Sequence, residues 1–123
     1  MSASTRNILA WVLQGLAGLA FIASGITKFM DLPKLVSGFN GMGFPTWFAY
    51  LIAGAEVLGG IGLLVPRFTR LAAICLIPIM LGAIWVHATK DPGGIATGIP
   101  AIVLLVILVV IILLRRPTTP ATV

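Results

Sequence analysis

Hydrophobic positions in this chain form long unbroken runs separated by short polar or glycine-proline breaks. Four runs stand out, at about residues 7–29, 47–65, 71–88 and 95–114. Each holds 18 to 23 residues, enough at about 1.5 Å per residue to cross about 30 Å of hydrocarbon as a helix. Apolar residues lie all round each run, so amphipathicity adds little. The two-residue alternation that a membrane barrel needs is missing. The breaks contain Pro33 and Gly41-Met-Gly-Phe-Pro45, then Pro66-Arg67, then Asp91-Pro-Gly-Gly94. The pattern predicts an all-α integral membrane four-helix bundle, a single domain over residues 1–123 that ends in a short polar tail at 117–123.

Finer signals refine this outline. Between the first two runs, Asp31 can cap a short helix with Pro33 in its first turn. Leu32, Leu35, Val36 and Phe39 would give that helix an apolar side, so it is expected in the outer interface as a lid on the bundle. Pro78 removes a backbone hydrogen bond in the third span and should kink it. The first span is expected to be retained, because cleavage after Ala23 would put Phe21 where a signal peptidase needs a small residue.

Composition agrees with the pattern. The chain is 59% hydrophobic and 9% charged over 123 residues, which excludes an ordinary soluble domain. Its eight Lys and Arg sit singly or in pairs at the ends of apolar runs, a distribution that argues for topology and against nucleic acid. Arg6, Arg67, Arg70, Arg115 and Arg116 fall on one side, and Lys28, Lys34 and Lys90 on the other with Asp31 and Asp91. The excess of positive charge on the first side predicts an inner-membrane protein with both termini in the cytoplasm. Trp11 near one interface, and Trp47 and Trp85 near the other, fit aromatic belts.

Against this apolar background Glu56 is conspicuous. A carboxylate in mid-span costs several kcal/mol unless partnered, and by default marks a pathway or site. Alternating helices would bring it to the same half of the membrane as Lys28, which closes the first span, and His87, near the end of the third. Glu56 lies about 13 Å from the outer end of its helix, nine residues at about 1.5 Å each. The stem of Lys28 is long enough to run inward and meet it. Ala53, Gly59 and Gly60 share the Glu56 side of the helix and allow a neighbouring helix or a flat ligand to approach. Glu56 and Lys28 are therefore the candidate catalytic pair, and Glu56, Lys28, Gly60 and His87 the candidate cofactor-binding set. The plainer alternatives are an ion pair that fixes helix register and a solvated terminal histidine. Gln14 reads as hydrogen-bonding glue between helices.

Other chemistries are excluded or demoted. Cys75 is the only cysteine, so the chain holds no intramolecular disulfide or CxxC pair. One His and three carboxylates spread along the chain give no metal-ligand spacing. Gly59-Gly-Ile-Gly62 lies inside a span and serves packing, not a nucleotide.

Three segments in order carry a family resemblance. The first span ends Ala23-Ser-Gly-Ile-Thr-Lys28-Phe, and the second contains Ala55-Glu56-Val-Leu-Gly-Gly-Ile-Gly62. The turn into the third reads Pro66-Arg-Phe-Thr-Arg70. Together they resemble the DoxX family of small four-span bacterial membrane proteins, over roughly residues 8–112. The matching positions are Gly25, Lys28, Glu56, Gly60, Thr69 and Arg70, with His87 where relatives often carry a polar residue. The resemblance implies a membrane subunit of a quinone-linked system such as thiosulfate oxidation, or an anchor in an oxidative-stress assembly. No cofactor is expected to be intrinsic, so any redox step would belong to a non-autonomous subunit that borrows a quinone or a soluble oxidoreductase partner. Under this reading Glu56 would accept a proton or hydrogen-bond a head group, while Lys28 would keep it ionised or bind an oxyanion.

Two readings from other classes compete. Small multidrug-resistance exporters also have four spans and one essential membrane glutamate, but in the first span, whereas Glu56 is in the second and has a lysine within reach. A purely structural membrane assembly factor would use Glu56 only to hold the bundle together. The bilayer is the one certain partner in every case, and the glycine-rich faces permit a homodimer.

Overall fold

The computed structural model describes residues 2–115. Arg116 and the tail at 117–123 lie outside the described residues. The first run folds as α1 (Ala3–Met30), which starts four residues before the expected Asn7. The extension is a capping effect: the Ser2 hydroxyl accepts the Thr5 N–H at 3.1 Å and satisfies an otherwise free first-turn donor. A short α2 (Leu32–Gly41) follows, with the Asp31 carboxylate accepting the Lys34 N–H at 3.2 Å and Pro33 in the first turn. After Gly43, which turns the chain at φ +91°, α3 (Thr46–Leu64) recrosses. A 3-10 turn at Pro66–Phe68 leads into α4 (Thr69–Lys90), which runs without a break through Pro78.

The last helix begins later than the hydrophobic pattern suggests. Residues Gly94–Gly98 form a 3-10 turn, and α5 covers Ile99–Leu114. Pro100 explains the boundary, since its fixed φ and missing N–H suit the first turn of a helix. Gly94, at φ +67°, supplies the left-handed residue that reverses the chain beforehand.

Among the described residues there is no strand, and the four long helices are long and apolar enough to cross a bilayer, α5 together with the 3-10 turn before it (Gly94–Leu114). They close a ring: α1 packs on α3 and α5, and α4 packs on α3 and α5. The interior mixes small side chains, with Ala10, Ala17, Ala49, Ala53 and Ala73 all fully buried, and large ones such as Phe21, Leu63, Leu76, Leu108 and Ile111. Many other large apolar side chains point outward, Leu58 being 71% exposed. A soluble bundle would not expose so many; in lipid, close backbone approach replaces the hydrophobic effect as the source of helix association. The seam between α1 and α3 is tightest. A Cβ at Gly60 would meet the Gly18 carbonyl oxygen at 2.7 Å, and one at Gly25 would meet the Ala53 carbonyl oxygen at 2.7 Å.

The short α2 lies across the start of α3. Its Leu35 is buried with Ala49 and Ala53, and Phe39 joins Phe44 and Phe48 in a cluster with ring centroids 5.1–6.1 Å apart. It therefore anchors the link between α1 and α3, and none of its residues lines the polar cavity described below.

Candidate functional site

Glu56 sits in the middle of α3 and is only 5% exposed. Its neighbours at one-turn spacing, Ala53 and Gly60, are buried on the same side. They let α1 pass so closely that its Ser24 and Lys28, one turn apart, both reach the carboxylate. Lys28 Nζ donates to Glu56 Oε2 at 2.7 Å and to Ser24 Oγ at 2.7 Å. Ser24 Oγ in turn donates to the same Oε2 at 3.1 Å. All the hydrogen bonding falls on one carboxylate oxygen, and Oε1 accepts none from the described residues.

Glu56 belongs to the wall of a cavity of about 180 Å³ that draws on all four long helices. Phe21, Ser24 and Lys28 come from α1, Glu56 from α3, Met80, Ala83 and His87 from α4, and Ala101 and Leu104 from α5. Lys28, Glu56 and His87 thus meet at one cavity. Gly60 does not line it, because Gly60 is spent on the contact with Gly18 and Ile22 of α1.

His87 is positioned by the turn after its own helix. Its Nδ1 lies 3.2 Å from Asp91 Oδ2 and 3.0 Å from Thr97 Oγ1. The other Asp91 oxygen accepts the Gly93 N–H at 3.0 Å. That backbone hydrogen bond foremost, helped by the one from His87, holds the Asp91 carboxyl below the usual aspartate value of 3.8, against the opposing effect of desolvation. Gly98 lets the turn lie against the imidazole, since a Cβ there would come within 3.1 Å of the His87 Cβ.

A second polar cluster lies at the end that carries both termini. Gln14 is fully buried on α1, and its Nε2 donates to the Leu63 carbonyl at 2.8 Å and to Thr69 Oγ1 at 3.1 Å. Arg115 Nε donates to Gln14 Oε1 at 2.7 Å and Nη1 to Asn7 Oδ1 at 2.9 Å, while the guanidinium lies over Trp11. Gln14 therefore ties α1, α3, α4 and the end of α5 together, as glue should. The motif residue Thr69 is part of this knot. Arg70 Nε is buried with no hydrogen-bond partner among the described residues.

Outside the ring, α3 and α4 leave a larger groove of about 540 Å³ beside Cys75. Its walls are apolar and open, with no charged side chain, so size alone does not make it the functional site. Among the described residues no three His, Cys, Asp or Glu side chains come together as metal ligands. Ser24, which lines the polar cavity, and Thr97, which touches His87 from outside it, escape a reading of the sequence. Ser24 could be inferred from its four-residue spacing to Lys28, which puts both on one helix face. Thr97 could not, because the run from Ile95 reads as a continuous helix.

Comparison with known proteins follows the same lines. A family model described as DoxX-like matches residues 12–110. CatD of Bacillus subtilis (strain 168), whose name marks it as a candidate oxidoreductase, is 28% identical over 81 residues, 66% of this chain and 60% of that protein. Rv3486 of Mycobacterium tuberculosis (strain ATCC 25618 / H37Rv), an uncharacterized membrane protein, is 39% identical over 84 residues, 64% of this chain and 52% of that protein. The chain thus spans between about half and three-fifths of the curated relatives it matches. No solved structure matches.

Proposed function

Because this multi-pass membrane chain belongs to the DoxX-like family, we propose that it is the membrane-embedded subunit or anchor of a redox system. In this reading the four-helix cavity holds the head group of an amphiphile, a quinone or a lipid-like molecule. The chain lies in the inner membrane with both termini in the cytoplasm, so that the cavity belongs to the outer half. The kinship with CatD supports the redox assignment. One observation carries the ligand assignment: a buried carboxylate that lines a cavity has one oxygen saturated by Lys28 and Ser24, while the other accepts no hydrogen bond from the described residues.

Size and chemistry fit a ring-shaped head group. An apolar cavity of about 150 Å³ is enough for benzene, so about 180 Å³ takes one substituted ring while an isoprenoid tail stays in the lipid. A bound quinone would supply the two-electron chemistry that this chain's own side chains cannot. Phe21, Met80, Ala83 and Leu104 would face the ring, and Glu56 would orient its polar edge through Oε1. Lys28, 29% exposed and fixed by Ser24 and Glu56, pairs with the carboxylate and places a positive charge beside the ring oxygens.

The test is equilibrium binding of a short-chain 1,4-benzoquinone to protein in lipid nanodiscs. Wild type should bind saturably with one ligand per chain. Glu56→Gln should weaken binding by removing the charge, and Ala83→Leu should block it by filling the cavity. Unchanged binding in both variants would overturn the proposal.

A further inference from the structure

The hydrogen bonds around His87 determine which of its nitrogens carries the proton. Thr97 Oγ1 has a single hydrogen and donates it to the Gly94 carbonyl at 2.7 Å, so toward His87 it can only accept. An ionised carboxylate only accepts as well, and Asp91 is tied down as one by the Gly93 N–H. With two acceptors 3.0 and 3.2 Å away, Nδ1 must be the protonated nitrogen. A neutral imidazole then has an unprotonated Nε2. No described residue hydrogen-bonds to Nε2, yet the ring lines the same cavity as Glu56 and Lys28.

We propose that Asp91 and Thr97 are positioning residues that lock His87 as its Nδ1–H tautomer, so that Nε2 accepts the hydroxyl hydrogen of a ring-hydroxylated amphiphile, a phenol or hydroquinone. The inference rests on the cavity reading given above and narrows its ligand to the hydroxyl-bearing form. Lys28 and Glu56 meet one side of such a ring, and His87, from the end of α4, meets another. A ring without a hydroxyl hydrogen offers Nε2 no donor, and sites built to pair a hydroxyl reject analogues that lack it. Apolar lining on Phe21, Met80 and Leu104 suits the ring faces.

His87 is the only histidine in the chain, so nitrogen-15 histidine labelling yields one ring to observe by NMR in lipid under mildly alkaline conditions. The expected spectrum shows one protonated nitrogen, Nδ1, and one unprotonated, Nε2. In the Asp91→Asn/Thr97→Val double variant the population should move toward Nε2–H, the tautomer that free imidazole side chains favour. Two closely related probes then test the ligand class: 4-hexylphenol, which has a hydroxyl hydrogen, and its methyl ether, which has none. Wild type should bind the phenol about tenfold more tightly, the ratio one net hydrogen bond gives, with the Nε2 resonance moving on binding. The double variant should lose that preference. An Nε2–H or doubly protonated ring in the wild type, or equal binding of the two probes, overturns the inference. Binding of neither probe to a protein with the expected tautomer overturns the cavity reading, and the ligand assignment with it.

Discussion

Removing either partner of the Lys28–Glu56 pair should destabilise the fold by different amounts, and the structure gives the order. The Glu56 side chain is 6% exposed and that of Lys28 is 29% exposed. Lys28→Met leaves a carboxylate that water can barely reach, with only the Ser24 hydroxyl to compensate it. Stranding one member of a buried ion pair costs about 3–5 kcal/mol, and the partial exposure here puts the expectation near about 3 kcal/mol. Glu56→Gln behaves differently. The amide oxygen still accepts from Lys28 and Ser24, and the ammonium can draw on water, so the loss reduces to a charge-assisted hydrogen bond becoming a neutral one, about 1 kcal/mol. Reversible unfolding in bicelles against increasing mole fraction of a denaturing detergent, followed by far-ultraviolet circular dichroism, measures both. Glu56→Gln costing as much as Lys28→Met would refute the argument from burial.

Three further outcomes follow from the packing and the turns. Gly60→Ala should destabilise by about 1–3 kcal/mol, because its Cβ meets the backbone of α1, whereas Gly54→Ala, with no atom within 4 Å, should be neutral or mildly stabilising; thermal unfolding of both variants checks the contrast. Gln14→Leu leaves Arg115 Nε without its acceptor, Nη1 keeping Asn7, and should cost about 1–3 kcal/mol, read by the same detergent titration. The Asp91 carboxyl is held below 3.8, so its support of the Gly93 turn is fully present above that value and lost as pH falls through the lowered folded value. Hydrogen exchange at the Gly93 amide should remain protected, relative to the intrinsic rate, down to pH 3.8 and lose protection only below it.

Much of the architecture was legible because a bilayer imposes so few solutions. Runs of 18 or more apolar residues must be helices, and Asp31 with Pro33 announces α2 by its capping chemistry alone. The Lys28–Glu56 pair could be foreseen because a lone mid-span acid demands a cation, and helix alternation puts Lys28, closing the neighbouring span, in the same half of the membrane. The start of α5 could not be fixed in the same way. Ile95 to Gly98 are as apolar as a helix, and the choice of a 3-10 turn depends on Pro100, on Gly94 and on the His87 ring against which the turn packs. That turn supplies Thr97, so the half of the site around His87 was hidden with it. Gly60 was misleading for a related reason: a glycine one turn from a functional acid suits a flat ligand and a neighbouring helix equally, and only the position of Gly18 shows that the helix occupies the space.

The most direct test of a ligand site at Glu56 is native mass spectrometry of protein released gently from its own membrane, with lipid extraction of the same sample, comparing wild type with Glu56→Gln. The account predicts a defined amphiphile with a ring head group bound to the wild type and absent from the variant. An identical set of bound molecules in the two samples, or a stably associated soluble enzyme with no small molecule in either, would contradict it and leave Glu56 as a structural ion-pair residue.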